Sequence, residues 1–157
     1  MSVCIDSPKE DAWKVLSNVT NVSLWVDPIL SASCESKCQK GVGTIRVCKL
    51  KGNMNITERW LAWEEGEYFT YVADETRYFK SAKNKWSVQE ENGKSLVTTE
   101  SEVVLKGGVF GKLLEPLMYM ISKKMGADSL VALKYLVENG FPYEGRVSKL
   151  PRAPIIC

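Results

Sequence analysis

No histidine occurs among the 157 residues of the chain. Chemistry that relies on an imidazole is therefore closed to it: there is no Ser-His-Asp or Cys-His arrangement, no imidazole metal ligand, and no side chain that changes charge near neutral pH without perturbation. Carboxylates, phenols, thiols and guanidinium groups remain. Arg46 and Glu58 lie in strand-like segments on either side of Gly52-Asn53. A buried Glu58 with a raised pKa could serve as acid or base, helped by Tyr71 or Tyr78. The turn decides whether the two charges share a face. A two-residue turn puts Arg46 and Glu58 on opposite sides of the sheet, and a three-residue turn with a bulge puts them on the same side.

The other reactive groups are thiols. Cys34 and Cys38 fall on one face of a strand-like segment, and Cys48 follows across a turn at Lys40-Gly41-Val42-Gly43. Zinc takes four ligands, and this spacing without histidine does not supply them, so no metal site is expected. Five cysteines at these spacings are unlike a disulfide scaffold, and reduced thiols are the expectation. Gly107-Gly108-Val109-Phe110-Gly111-Lys112 is one residue short of a phosphate loop, and Leu113 stands where a magnesium-binding Ser or Thr is required. No cofactor is expected.

The elements that must position these groups follow from periodicity. Val3 and Ile5 mark a first strand. Ser7-Pro8-Lys9-Glu10 predicts a helix from residue 8, with Ser7 as its cap, and a second short helical piece runs through Val22 to Trp25 until Asp27-Pro28 stops it. From Ile29 to Leu105 the period is two and turn signals recur, which predicts a six-strand meander near 29–40, 43–51, 54–64, 67–73, 77–90 and 95–105. A 3.6-residue period then returns in Leu113, Leu114, Leu117, Ile121, Met125, Leu130, Leu133 and Leu136, and Asn139-Gly140 closes a long helix. One domain over 1–140 with a tail over 141–157 is the expected organisation.

A net charge of +2 is too small to draw in nucleic acid or anionic lipid from a distance. No window approaches the run of apolar residues that a membrane span needs, and Met1-Ser-Val-Cys-Ile-Asp6 lacks the pattern of a signal peptide, so a cytoplasmic protein without integral membrane association is expected.

Taken in order, Ile5-Asp-Ser-Pro-Lys-Glu-Asp-Ala-Trp13, Trp25-Val-Asp-Pro28, Gly41-Val-Gly-Thr-Ile-Arg46, Ile56-Thr-Glu-Arg59 and Lys106-Gly-Gly-Val-Phe-Gly-Lys-Leu-Leu114, leading to Leu133-Lys-Tyr-Leu-Val-Glu138, resemble the START/Bet v 1-like (SRPBCC) superfamily, in its polyketide cyclase/dehydrase and lipid-transport branch. The resemblance implies an α+β helix-grip fold: a curved antiparallel sheet of about seven strands wrapped around the long C-terminal helix, with two short helices after strand one. It also implies a ligand cavity between sheet and helix, and it favours the turn that sets Arg46 and Glu58 on the pocket side. The candidate ligand-binding residues are then Arg46, Glu58, Trp60, Tyr71, Tyr78, Asn84 and Trp86 from the sheet, with Leu117, Ile121 and Met125 turned inward from the helix; Trp25 is a candidate for the rim. The expected role is binding of a small hydrophobic, lipid-like or polycyclic molecule without turnover. A cyclase or dehydrase with Glu58 as acid/base is the alternative, followed by a protein-interaction module with no ligand. Any protein partner is unspecified.

Overall fold

The computed structural model describes residues 1–37, 39–74, 76, 79–151 and 157, and only the backbone of 109–111. Cys38 and Tyr78 of the expected set lie outside the described residues. Seven antiparallel strands, β1 (Ser2–Ile5), β2 (Ile29–Cys34), β3 (Ile45–Leu50), β4 (Met54–Glu64), β5 (Tyr68–Ala73), β6 (Phe79–Glu91) and β7 (Lys94–Leu105), form one sheet in the order β1-β7-β6-β5-β4-β3-β2. Helix α1 (Lys9–Leu16) follows β1, and helix α2 (Gly108–Asn139) follows β7. This is the helix-grip arrangement.

Local chemistry accounts for the hairpins. Asn92 and Gly93 both adopt positive φ, 53° and 74°, between the paired residues Glu91 and Lys94, as a two-residue turn of the primed kind demands. Between β3 and β4 the loop is one residue longer: Leu50 pairs with Met54, and Gly52 and Asn53 take the left-handed conformations inside it. That extra residue makes Arg46 the direct cross-strand neighbour of Glu58. A further irregularity in β4, between Trp60 and Ala62, leaves Leu61 outside and 51% exposed. It brings Trp63 round to stack on Phe69, whose ring lies 5.8 Å from Trp60.

Two details at the N-terminal end differ from expectation. Ser7 does not cap α1. Its hydroxyl donates to Asp11 Oδ2 at 3.2 Å, Pro8 occupies the cap position in an extended conformation, and the Pro8 carbonyl accepts from the amides of Asp11 and Ala12. The second short helix is a single 3-10 turn, Asn21–Leu24.

The larger correction concerns α2. Its C-terminal half is anchored, with Leu130, Ala132, Leu133 and Leu136 buried, and Lys134 both donating to the Cys4 carbonyl at 2.9 Å and pairing with Glu138. Following the same helical face toward the N-terminus gives Ser129, Gly126 and Ser122, not the leucines. Leu117 and Ile121, expected to point inward, are 54% and 43% exposed, and Leu113 is 79% exposed. Met125 is 44% exposed at the flank of the inward face. Apolar side chains occupy almost every side of the helix between 113 and 125, so periodicity alone selects the wrong face there.

The thiol expectation also needs correction, because Cys4 and Cys157 form a disulfide across a separation of 153 residues, while Cys48 keeps a free thiol. Spacing rules fail here because the bond joins the two ends of the chain. β1 lies beside the end of α2, so the tail that leaves the helix returns to the first strand.

Candidate functional site

A cavity of about 550 Å³ lies between the inner face of the sheet and the unanchored half of α2. Its apolar walls include Trp25, Ile29, Ile56, Trp86 and Met125, and its inner wall carries Cys48, Glu58 and Tyr71. Trp25 meets Trp86 edge to face with ring centroids 5.1 Å apart. On the helix side Tyr119, Lys123 and Met125 line it together with the small residues Ser122, Gly126 and Ser129, and the Met1 side chain packs against Gly126.

Glu58 is the charged group of the inner wall. Its Oε2 accepts from Arg46 Nε at 2.6 Å and from Cys48 Sγ at 3.4 Å. The Arg46 guanidinium lies behind the wall rather than in it. Its Nη1 donates to the Val19 carbonyl at 3.0 Å, and its Cζ lies 4.8 Å from the centroid of the Trp60 ring and 5.3 Å from that of Tyr71. Arg46 therefore ties the segment after α1 to the sheet and fixes the carboxylate that faces the cavity.

The electrostatics follow from this burial. Burial pulls the guanidinium pKa down, but the Glu58 charge, with smaller effects from Tyr71 and Cys48, outweighs it and leaves Arg46 above its ordinary value. The Cys48 thiol is pushed up from 9.0 to about 12 by burial and then by Glu58. Tyr71 moves upward from 10.0 for the same two reasons. Both stay protonated and uncharged near neutrality.

These two acids should give the protein a falling alkaline limb. Above about pH 9 the unfolded chain releases protons that the folded protein retains, so stability is intact below that pH and declines as pH rises toward 12. Each group contributes a slope of about 1.4 kcal/mol per pH unit while its two states differ. Urea unfolding from pH 8 to 11 should show the decline, and Cys48→Val should flatten its onset. An onset unchanged by that substitution would mean that Cys48 is not held neutral.

The sequence-selected residues thus divide. Glu58, Tyr71, Asn84, Trp86 and Met125 line the cavity. Asn84 Oδ1 accepts from the Ser101 hydroxyl at 2.6 Å. Arg46 and Trp60 are buried behind it, at 4% and 2% exposure. Leu117 and Ile121 stand on the outer side of α2. Sequence reasoning missed Ser122, Gly126 and Ser129, whose signal was their position two helical turns before the buried Ser129, Leu133 and Leu136.

A second hollow, of about 480 Å³, lies on the outside between α1 and the β4–β5 turn and is lined largely by charged and polar side chains. There Glu65 accepts from the indoles of Trp13 and Trp63, each at 2.9 Å. Those two bonds, with Lys40 nearby, lower its pKa. Its evident role is to fasten α1 to the sheet.

Among the described residues no cluster of His, Cys, Asp or Glu could hold a metal ion, and no helix is long and apolar enough to cross a membrane.

Comparison with known folds matches this geometry. The crystal structure of Ara h 8.0201 superposes with a TM-score of 0.69 at 14% identity, covering 87% of this chain and 94% of the other. A solution structure from Thermobifida fusca gives 0.67 at 14% identity over 88% and 93% of the two chains. XoxI from Bacillus cereus gives 0.64 at 17% identity over 90% and 92%. At such identities the likeness establishes the fold alone. No curated protein matches the sequence. The model of one family, however, described as polyketide cyclase / dehydrase and lipid transport, matches residues 1–138, and the chain belongs to that family.

Proposed function

We propose that the protein binds a small apolar molecule, lipid-like or polycyclic, in the cavity between the sheet and α2, and carries it without converting it. The observation that supports this reading most directly is the cavity itself, whose volume of about 550 Å³ is walled by aromatic and aliphatic side chains around a few polar groups. That composition and size suit a small-molecule site. Cys48 and Tyr71 beside Glu58 are held protonated, and the Glu58 carboxylate is engaged by Arg46, an arrangement that orients a ligand more readily than it moves protons. A cyclase or dehydrase reading uses the same carboxylate. It requires that Glu58→Gln lower the conversion of a substrate by about 10² or more while leaving binding intact. A cytoplasmic setting is part of this proposal, and a reducing thiol pool there would act on Cys4–Cys157.

Titration with an environment-sensitive apolar dye tests the reading. Wild-type protein should bind one equivalent saturably. Ser122→Trp, which drives an indole into the cavity, should abolish binding, and Leu117→Trp, on the outer face, should leave it unchanged. Equal binding by Ser122→Trp would place the dye on the surface of α2 and defeat the proposal. Extraction of the purified protein and mass spectrometry would identify a resident ligand directly.

A further inference from the structure

Between Lys112 and Lys124, α2 turns an apolar stripe outward. Leu113, Leu117, Met120 and Ile121 recur at helical spacing on the side away from Ser122 and Gly126, and all four are exposed, Met120 at 68%. Leu114 beside them is also exposed. A contiguous apolar face of this kind on a folded chain marks a contact surface.

The charges around the stripe say what it contacts. Lys112 stands just before it and Lys123 and Lys124 just after, all three exposed. Between residues 106 and 127 the chain holds four lysines, and its one acid there is Glu115. Helical spacing sets Glu115 on the opposite side of α2 from Leu113 and Leu117. Beyond the stripe Asp128 accepts from Lys124 at 2.6 Å, and Lys123 Nζ lies 5.9 Å from the centroid of the Tyr119 ring. A second copy docked on the same stripe would set lysines against lysines, which disfavours self-pairing. An anionic surface with an apolar interior satisfies both the leucines and the lysines. The net charge of +2 gives the whole chain little pull at long range, but this local excess acts at contact. Among the described residues no helix is long and apolar enough to cross a membrane, so such a contact is peripheral.

We propose that this face of α2 lies on the surface of an anionic bilayer, with Leu113, Leu117, Met120 and Ile121 among the outer acyl chains and Lys112, Lys123 and Lys124 at the phosphate headgroups. The contact does not depend on what the cavity holds. It sets the half of α2 that lines the cavity against the lipid.

The test is co-sedimentation with vesicles of phosphatidylcholine alone and of phosphatidylcholine mixed with phosphatidylglycerol. The protein should bind the mixed vesicles about tenfold or more tightly than the neutral ones and should leave them at high salt. Lys112→Gln/Lys124→Gln should weaken that binding by about ten- to thirtyfold, each lysine near the surface being worth about fivefold. Leu117→Glu/Met120→Glu should weaken it by about tenfold or more, with an unchanged melting temperature because both positions are exposed. If that variant lost its fold, the lysine variant and the salt series would decide. Equal binding to the two kinds of vesicle, binding to neither, or binding that a folded Leu117→Glu/Met120→Glu retained would overturn the proposal. A wild-type dimer in sedimentation equilibrium that Leu117→Glu/Met120→Glu dissociates, with no vesicle binding, would give the face to a second copy instead. Ser122→Trp, which fills the cavity, should bind the mixed vesicles as wild type does; a folded Ser122→Trp that did not would tie vesicle binding to the cavity and overturn the docking face while leaving the cavity reading standing.

Discussion

Replacing Arg46 with methionine should lower the melting temperature by about 10 °C or more. The substitution leaves the Glu58 carboxylate buried without its partner, frees the Val19 carbonyl, and strips the cation from the faces of Trp60 and Tyr71. Removing one member of a buried ion pair costs about 3–5 kcal/mol, and for a chain of this size each kcal/mol corresponds to roughly 2–4 °C. Glu58→Leu should do comparable harm by stranding the guanidinium. The double variant Arg46→Met/Glu58→Leu should recover much of the loss, because an apolar pair of similar volume avoids the desolvation of two charges. Urea unfolding of the four proteins gives the coupling directly. Two single variants each within about 1 kcal/mol of wild type would show the pair to be a solvated surface contact, contrary to its burial.

The second large effect belongs to Cys157→Ser. The disulfide closes almost the entire chain into one loop, its two ends 153 positions apart, so it restricts the unfolded ensemble more than a short-range bridge does. A loss of about 2–4 kcal/mol under oxidising conditions is expected. Its diagnostic feature is the control: with excess reductant, wild type and Cys157→Ser should unfold together. A difference that persisted in reductant would point to lost packing of the tail rather than to the covalent bond. Cys48→Val supplies a second control, since Cys48 takes no part in the bridge.

Much of this architecture is legible in the residues, and what is not has identifiable causes. The meander between Ile29 and Leu105 could be read because its period of two is interrupted by residues such as Asn92-Gly93, which admit one tight turn. Placing Arg46 opposite Glu58 needed knowledge of one loop residue, and residue types alone permitted either length; the family resemblance favoured the longer. Trp63 could not be placed by alternation, since the irregularity at Leu61 reverses the facing of the residues beyond it. On α2 the apolar stripe was a poor guide because several of the residues facing the cavity, Ser122, Gly126 and Ser129, are small and carry no apolar signal. A binding cavity is a place where the usual signal of burial is weakened. The pairing of Cys4 with Cys157 was hidden for a different reason, being set by where β1 meets the end of α2, a tertiary fact with no local signature.

Helix α2 divides into two thermodynamic units. From Ser129 to Leu136 its backbone hydrogen bonds are backed by core leucines and by the Lys134–Cys4 contact, so breaking them requires loss of the fold. From Tyr119 to Met125 the helix meets the sheet across a hollow rather than a core, and Pro116, just before this stretch, offers no amide to the turn that precedes it. Its hydrogen bonds can therefore break while the rest of the molecule stays folded. Amide exchange should then change abruptly within one continuous helix, and the fast-exchanging half is the half that roofs the cavity. Passage of a ligand would need only the melting of a few turns, with no movement of a domain.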